Sequence, residues 1–447
     1  MDKTELSRKI AEKVKEAGGR VFYVGGCVRD RILHIENKDI DIEVHGITPE
    51  KLKEILETLG RPLSFGKSFG VWSLKGYDID IAMPRREKAI GKGHRDFEID
   101  VDPFIGYEQA ARRRDFTINA LMEDVLSGEI IDSFGGMEDL QKKVIRCVDP
   151  VTFIEDPLRV LRAAQFAARF HFDIDPATIQ LCSSIDLTTL HKQRIEDELK
   201  KALLKSDEPS LFFKCLLEMD QLSFWFKELQ DLIGLKQDPI YHPEGDVFVH
   251  TMEVLDRGTA YRQKVSEPYR FMLLCLSHDL GKILTTKEID GRIHAYGHET
   301  EGLPLIRTFI HRFCEEKEPL RYVLNMTPLH MRPFSLAADR SSIRSTNKVF
   351  DQACEPLDLL YFSLADKGPK AEEEEISWLF ERYGIYQEYM ARDYVNGEDL
   401  IQAGLRPDES FSDILNYAHK LRLAGVKKED ALKQTLAYAQ KQKAGPQ

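Results

Sequence analysis

Two aspartates two residues apart, in Lys38-Asp39-Ile40-Asp41-Ile42-Glu43, closely follow the glycine pair of Val24-Gly25-Gly26-Cys27-Val28-Arg29-Asp30. In a strand, side chains at i and i+2 leave the same face, so the carboxylates of Asp39 and Asp41 can meet at one point. Such an oxygen cluster suits Mg²⁺, whose shell is completed by substrate phosphates and water. Glycines just before a helix let the backbone approach a polyphosphate, and the helix N-terminus favours its charge. The combination describes a nucleotidyl-transfer site. A third carboxylate comes from Gly76-Tyr77-Asp78-Ile79-Asp80-Ile81, where Asp78 and Asp80 are expected on one side of a half-buried strand and Asp80 is the preferred ligand. Two ions would then activate an acceptor hydroxyl and hold the triphosphate.

Three further constellations carry chemistry. Arg112-Arg113-Arg114-Asp115-Phe116-Thr117-Ile118-Asn119 reads as a basic loop leading into a helix capped by Asp115. In Glu155-Asp156-Pro157-Leu158-Arg159-Val160-Leu161-Arg162, the residues Asp156, Arg159 and Arg162 stand at i, i+3 and i+6 of a helix. A carboxylate accepts the exocyclic amine of C or A, and a guanidinium donates to ring acceptors; G and U present the opposite pattern. In the C-terminal half, His250, His278-Asp279 and Asp366 form a set of imidazoles and carboxylates suited to Mn, Fe, Ni, Zn or Mg. His298 and His330 could serve a second ion or grip a substrate phosphate, whereas His294 and His311 read as ordinary surface or structural histidines.

The elements that must position these residues fall into two regimes. Strand-like runs occur at residues 20–24, 39–44, 71–74 and 77–82, and residues 48–60 carry helix signals: Thr48 as cap, Pro49 at the first position and Gly60 as terminator. From Asp139 onward helical periodicity dominates and strands all but vanish. The polar stretch between Pro84 and Gly106 reads as a long loop, and Glu372 to Glu375 as a solvated acidic run at a boundary. The fold expected is α+β. A head with a small mixed sheet (1–138) precedes a helical neck (139–205), a helical body (206–370) and a helical tail (371–447).

At 447 residues the chain exceeds one core, and 42% apolar with 31% charged residues is ordinary for a soluble protein. Seven scattered cysteines without a Cys-x-x-Cys pair give neither a disulfide framework nor a zinc ribbon. The N-terminal segment is charged and amphipathic, and no stretch reaches the length of a membrane span, so a cytoplasmic protein with no membrane partner is expected. A net charge of −12 argues against nucleic acid unless the basic residues cluster; Arg112 to Arg114, Lys142, Lys143, Arg146, Lys192, Arg194, Lys200 and Lys201 all lie between residues 110 and 205. Oligomeric state is not legible.

These motifs resemble the class II tRNA nucleotidyltransferases and bacterial poly(A) polymerases of the polymerase-β-like superfamily. The resemblance implies catalytic Asp39, Asp41 and Asp80, with Asp39 and Asp41 on Mg²⁺. It also implies nucleotide contacts from Gly25, Gly26, Arg29, Arg114, Asp115, Asn119, Asp156, Arg159 and Arg162. The Glu-Asp-x-x-Arg run is similar to the motif that serves these enzymes as a protein template choosing CTP and then ATP, and Arg194 to Lys201 resembles a structural neck-helix motif. His250, His278, Asp279 and Asp366 resemble the metal set of the HD phosphohydrolases, and the junction from Tyr241 to Thr251 resembles multifunctional bacterial CCA-adding enzymes. The implied activity is template-independent addition of CCA to tRNA from CTP and ATP, with an HD-domain hydrolase acting on 2′,3′-cyclic phosphates and phosphomonoesters through a transition metal or Mg²⁺. The alternatives are a poly(A) polymerase, a CC-only or A-only enzyme, and an HD phosphohydrolase with a tRNA-binding head. In the family the switch from C to A depends on a flexible loop at residues 84–106, which argues against a CC-only enzyme.

Overall fold

The computed structural model describes residues 2–36, 39–64, 71–89 and 97–444, and divides into two compact units, Met1–Trp225 and Phe226–Gln447. In the first unit the strands are β1 Arg20–Val24, β2 Asp41–His45, β3 Pro62–Ser64, β4 Val71–Leu74, β5 Asp80–Ala82, β6 Arg85–Ala89, β7 Phe97–Val101, β8 Met122–Asp124 and β9 Ile130–Ile131. Seven of them form one sheet in the order β3-β4-β5-β2-β1-β8-β9. Only β2 and β5 run parallel in it, so the sheet is mixed as expected. Four of the five residues in each of β1 and β2 are buried, which marks central strands covered on both faces. Helices α1 Lys3–Glu16, α2 Gly26–Ile32 and α3 Pro49–Leu59 flank them. The start of α3 follows its sequence signals: Thr48 accepts from the Lys51 N–H at 3.3 Å and Pro49 takes the first turn.

Several local expectations are corrected. β2 begins at Asp41, so Asp39 precedes the strand, and β5 begins at Asp80, leaving Asp78 exposed and paired with Lys3 at 2.9 Å. The stretch after Pro84 is not simply loop. β6 and β7 pair antiparallel from Arg85↔Val101 to Ala89↔Phe97, a ladder of backbone hydrogen bonds that the charged sequence of β6 concealed. Gly91-Lys92-Gly93, at the centre of the expected loop, lies outside the described residues. Asp115 caps no α-helix, because only a 3₁₀ turn, Thr117–Asn119, follows it.

Beyond the sheet come α4 Tyr107–Arg112, α5 Gly136–Lys142, α6 Pro150–Phe153, α7 Leu158–Phe170, α8 Pro176–Ser183, α9 Lys192–Lys205 and α10 Ser210–Glu218. The short strands β10 Val144–Ile145 and β11 Asp173–Ile174 pair in parallel. α7 is the pivot, packing on both α9 and α10 through a face that buries Val160, Leu161, Ala164, Ala167 and Ala168. Its small alanines allow close approach, and Arg159, Arg162 and Arg169 remain on the other side. The division between units falls inside α11 Leu222–Asp231, at Phe226, whose φ of −127° and ψ of 42° break the helix.

The second unit is helical: α12 Val247–Gly258, α13 Pro268–Ser277, α14 Lys282–Thr285, α15 His298–Glu301, α16 Leu303–Phe313, α17 Lys317–Met326, α18 Arg332–Ala338, α19 Ile343–Gln352, α20 Pro356–Lys367 and α21 Glu373–Ala391. Three more, α22 Gly397–Gln402, α23 Phe411–Leu423 and α24 Lys428–Ala444, end the chain. α13 is its axis, buried from Phe271 to Ser277 on every side and packed by α12, α17 and α20. The acidic run at Glu373 to Glu375 forms the first turn of α21, where negative charge complements the helix dipole. A hairpin missed in the sequence, β12 Lys287–Ile289 and β13 Arg292–His294, turns through Asp290 and Gly291 at φ 51° and 72°; an Asp-Gly pair between short strand runs is its signal. Among the described residues no helix is long and apolar enough to cross a membrane, and all seven cysteines are free.

One close approach sets the second unit's site. A Cβ on Gly281, just after His278-Asp279, would stand 2.0 Å from the His298 carbonyl oxygen, and one on Gly302 would stand 2.4 Å from the Gly281 Cα. Gly281→Ala must therefore push α14 and α15 apart. Thermal or urea unfolding should show destabilisation of about 1–3 kcal/mol, and an unchanged midpoint would contradict this packing.

Candidate active sites

In the first unit a cavity of about 600 Å³ is bounded by the turn before α2, the start of β2, the segment after α4, and α7 and α9. Gly25 stands at φ 69° and ψ −132°, a conformation only glycine adopts readily, and a Cβ there would meet Arg114 Nη1 at 3.0 Å. Its glycine therefore keeps the Arg114 guanidinium against the backbone turn. Gly26 opens α2 beside it. Asp39 and Asp41 line the same cavity, and Asp80 is the direct ladder partner of Asp41 across the parallel β2–β5 pair. Burial, then the neighbouring Asp80 and Asp39, push the Asp41 carboxyl above its ordinary range, partly offset by Arg114. Asp39, Asp41 and Asp80 are oxygen donors of the kind a divalent cation takes, and Asp41 lies near enough to the other two to feel their charge.

Glu43, two residues beyond Asp41 on β2, was overlooked. It is buried, faces His45 Nε2 at 2.9 Å, and accepts from Arg113 and Arg114 at 3.3 and 3.4 Å. Burial alone would raise its carboxyl, but the hydrogen bond from His45 and the charges of Arg114 and Arg113 bring it down to about 2. It anchors both arginines at the cavity. The Asp39-x-Asp41-x-Glu43 alternation was its available signal.

The remaining predicted residues form a chain of charge pairs. Asp115 accepts from Asn119 Nδ2 at 2.9 Å and from Arg162 Nε at 2.7 Å. Arg29 lies buried over the rings of Phe166 and Phe170, with its donors turned to Asp30 and Asn119, so it ties α2 to the 3₁₀ turn and α7. Arg159 donates to the carbonyls of Thr152 at 2.9 Å and Arg113 at 2.6 Å, which fixes the plane of its fork. Asp156 is gripped by Arg194 through two contacts of 3.2 and 2.9 Å. Burial opposes ionisation of Asp156, and the Arg194 hydrogen bonds more than compensate, lowering its carboxyl below the ordinary range. The segment beginning at Arg194 reads as structural in sequence, yet Arg194, Lys201 and Lys205 of α9 all line the cavity. Only spatial pairing with Asp156 reveals this.

The second unit gathers His250, His278, Asp279 and Asp366. His250 Nε2 stands 3.1 Å from Asp366 and 3.6 Å from Asp279, and His278 Nε2 stands 3.3 Å from Asp279 and 3.7 Å from Asp366. His298 and His330 join them: His298 Nε2 lies 3.2 Å from the other Asp279 oxygen and 3.4 Å from His330 Nε2. Three of these rings share one arrangement. Nδ1 of His278, His298 and His330 faces the carbonyl of Cys275, Ala295 and Thr327 at 3.1, 2.8 and 2.7 Å, three residues upstream in each case. An N–H donated there leaves each Nε2 as a lone-pair donor, the form a metal takes. Nε2 of His278 is buried with no hydrogen-bond partner among the described residues, and the donor set fits a cation. Sequence reading missed Glu244, which meets Nδ1 of both His250 and His242 at 2.9 Å, and Lys282, whose Nζ lies 2.7 Å from Asp279.

A mixed sheet with Asp41 and Asp80 paired across adjacent strands, beside a helix face of arginines held by aspartates, defines a nucleotidyltransferase head. Residues 21–146 match the family described as the poly A polymerase head domain. A multifunctional CCA protein of Pasteurella multocida (strain Pm70) is 35% identical over 428 residues, covering 92% of this chain and 97% of its own length. Another, from Mannheimia succiniciproducens, is 40% identical over 303 residues, or 66% and 70% of the two chains. The chain belongs to the multifunctional CCA protein family. Two solved structures share its fold at 22% identity, each covering 97% of this chain and 95% of the other. The Thermotoga maritima CCA-adding enzyme complexed with tRNA has a TM-score of 0.65, and an apo CCA-adding enzyme has 0.69.

Removing the Glu43 charge should cost fold stability first. Glu43→Gln leaves Arg113 and Arg114 without their buried counter-charge, a loss of about 3 kcal/mol at neutral pH. Because the folded carboxyl is depressed from 4.5 to about 2, its contribution is complete above pH 4.5 and disappears as pH falls through about 2. Urea unfolding of both proteins across that window should show the difference closing; a gap independent of pH would contradict the pairing.

Proposed function

We propose that this protein adds C, C and A to the 3′ end of tRNA from CTP and ATP, without a nucleic-acid template. The observation that carries the reading is the single cavity shared by Asp39 and Asp41, the Gly25–Gly26 turn, and Asp156, Arg159, Arg162 and Arg194. The acceptor 3′-hydroxyl attacks the α-phosphorus of the nucleotide, and pyrophosphate leaves. Dependence on a divalent metal follows from the family; Mg²⁺ on Asp39 and Asp41, with Asp80 beside them, would neutralise the charge that develops on the phosphate. Arg114 and the Gly25–Gly26 turn bind the triphosphate, and Asp115 with Asn119 orients the sugar. Of the roughly four acceptor positions of the Asp156 carboxylate, two meet Arg194 and one the Leu158 N–H, so one is left for the exocyclic amine of C or A. Arg159 supplies the complementary donor to the base ring. Residues 1–138 act as head and 139–205 as neck in this scheme, and seven free thiols support a reducing, cytoplasmic setting.

The second unit adds a metal-dependent phosphohydrolase. His250, His278, Asp279 and Asp366 would hold a transition metal or Mg²⁺, with His298 and His330 available to a second ion through the shared Asp279. The 2′,3′-cyclic phosphate end of a damaged tRNA is the substrate that would link the two activities.

The reading is tested by giving the protein a tRNA that lacks its 3′ CCA, with each labelled nucleotide alone and then CTP with ATP. Two C additions from CTP and a further A when ATP is present are expected; an A tail of indefinite length would indicate a poly(A) polymerase. Asp41→Asn should reduce incorporation at least about a hundredfold while tRNA binding persists, and incorporation near the wild-type rate would remove Asp41 from the site. His278→Ala should abolish hydrolysis of 2′,3′-cyclic AMP yet leave nucleotide addition within about twofold. Loss of both activities together would show that they are not separate chemistries.

A further inference from the structure

Beside the histidine cluster of the second unit lies a cavity of about 370 Å³ whose lining, His298 apart, lies outside the metal set. One wall is the β12–β13 hairpin and the segment leaving it, with Ile293, His294 and Tyr296; another is the segment from Lys236 to His242. Tyr296 is 72% exposed, a large aromatic left in the open, and it stacks on His294 with ring centroids 4.8 Å apart and planes inclined by only 13°. The histidine holds the tyrosine ring flat and leaves its other face for a planar guest. Gly297 turns the chain at φ 74°, so Tyr296 stays at the rim while His298, two residues on, reaches Asp279 at 3.2 Å. A stacking platform and a metal-ligating group therefore sit on one short segment.

A second observation points to a ligand at this place. Gln237 lines the cavity, is 8% exposed, and accepts from Lys282 Nζ at 2.7 Å. An ammonium only donates, so the amide oxygen must face Lys282 and the NH₂ must face away from it. That Nε2 is buried without a hydrogen-bond partner among the described residues. A donor left unsatisfied in this way is costly unless a ligand completes it. Lys282 also lies 2.7 Å from Asp279, so the amide, the ammonium and the metal-binding carboxylate form one continuous line from cavity to cluster.

We infer that this cavity is a nucleobase subsite: the terminal base of the phosphate ester stacks on Tyr296 while the Gln237 amide donates to an acceptor on the base or ribose, which places the phosphate at the Asp279 cluster. A small phosphomonoester fills the cluster and leaves this wall empty; a nucleoside 2′,3′-cyclic phosphate or an RNA 3′ end fills both. Tyr241, also largely exposed, lines the same cavity and extends its aromatic surface. The inference rests on the phosphohydrolase reading of the adjacent cluster and adds to it the residues that would recognise the base.

The test compares kcat/KM for 2′,3′-cyclic AMP with that for glycerol 1,2-cyclic phosphate, which carries the same five-membered ring and no base. The full-length wild type loaded with Mn²⁺, Ni²⁺, Co²⁺ or Mg²⁺ should prefer the nucleotide at least about tenfold through KM, as base stacking on an aromatic ring allows. Tyr296→Ala should collapse the preference to near unity, Tyr296→Phe should keep it, and Gln237→Leu should lower it. An undiminished preference in Tyr296→Ala overturns the inference while leaving the phosphohydrolase intact. If neither ester is hydrolysed with any metal, the phosphohydrolase reading fails, and calorimetry with adenosine 3′-monophosphate decides the subsite alone: a binding event lost in Tyr296→Ala supports it, and identical isotherms overturn it.

Discussion

Buried charge, and the need to pair it, organises the first unit. Asp156 with Arg194, Asp115 with Arg162, and Glu43 with Arg113 and Arg114 join α7, α9, β2 and the segment after α4 around one cavity. An ion left alone in such a place costs several kcal/mol, so each partner is held where the other needs it. The consequence is a rigid wall of donors and acceptors. On the proposed function such a wall discriminates bases, because a wrong base leaves its groups unpaired.

The same constraint is met differently in the second unit. There Asp279 lies in the interior among His250, His278, His298 and Lys282, and backbone carbonyls rather than acids orient three of the imidazoles. Burial opposes ionisation of Asp279, and the neighbouring Lys282 ammonium foremost more than compensates, holding its carboxyl well below the ordinary range. The glycine contact between Gly281 and Gly302 is what brings these groups within reach of one another.

What was legible in the sequence was local. Asp41, the run from Asp156 to Arg162, and the adjacent His278-Asp279 declare themselves by spacing, the strand ending at Val24 by a continuous apolar run, and the strand around Ile42 by strict alternation. Arg194, Glu244 and Gln237 do not, since each matters through a partner that only the fold supplies. Arg194 lies thirty-eight residues from Asp156 in the chain, and its helix looked like scaffold. β6 escaped notice for a different reason: its ladder is made by backbone groups, and its side chains carry no alternation of apolar and polar residues.

The choice of base falls, on the proposed function, to protein side chains. Its most direct measurement is the discrimination between CTP and UTP, in competition on a tRNA lacking CCA, by wild type and Arg159→Ala. If Arg159 reads the base ring, discrimination should fall at least about fivefold in the variant, the lower limit for one good base contact, with UTP incorporation rising relative to CTP. Equal discrimination by the two proteins, whatever their absolute rates, would contradict the account and return Arg159 to a purely structural tie between α7 and the Thr152 and Arg113 carbonyls.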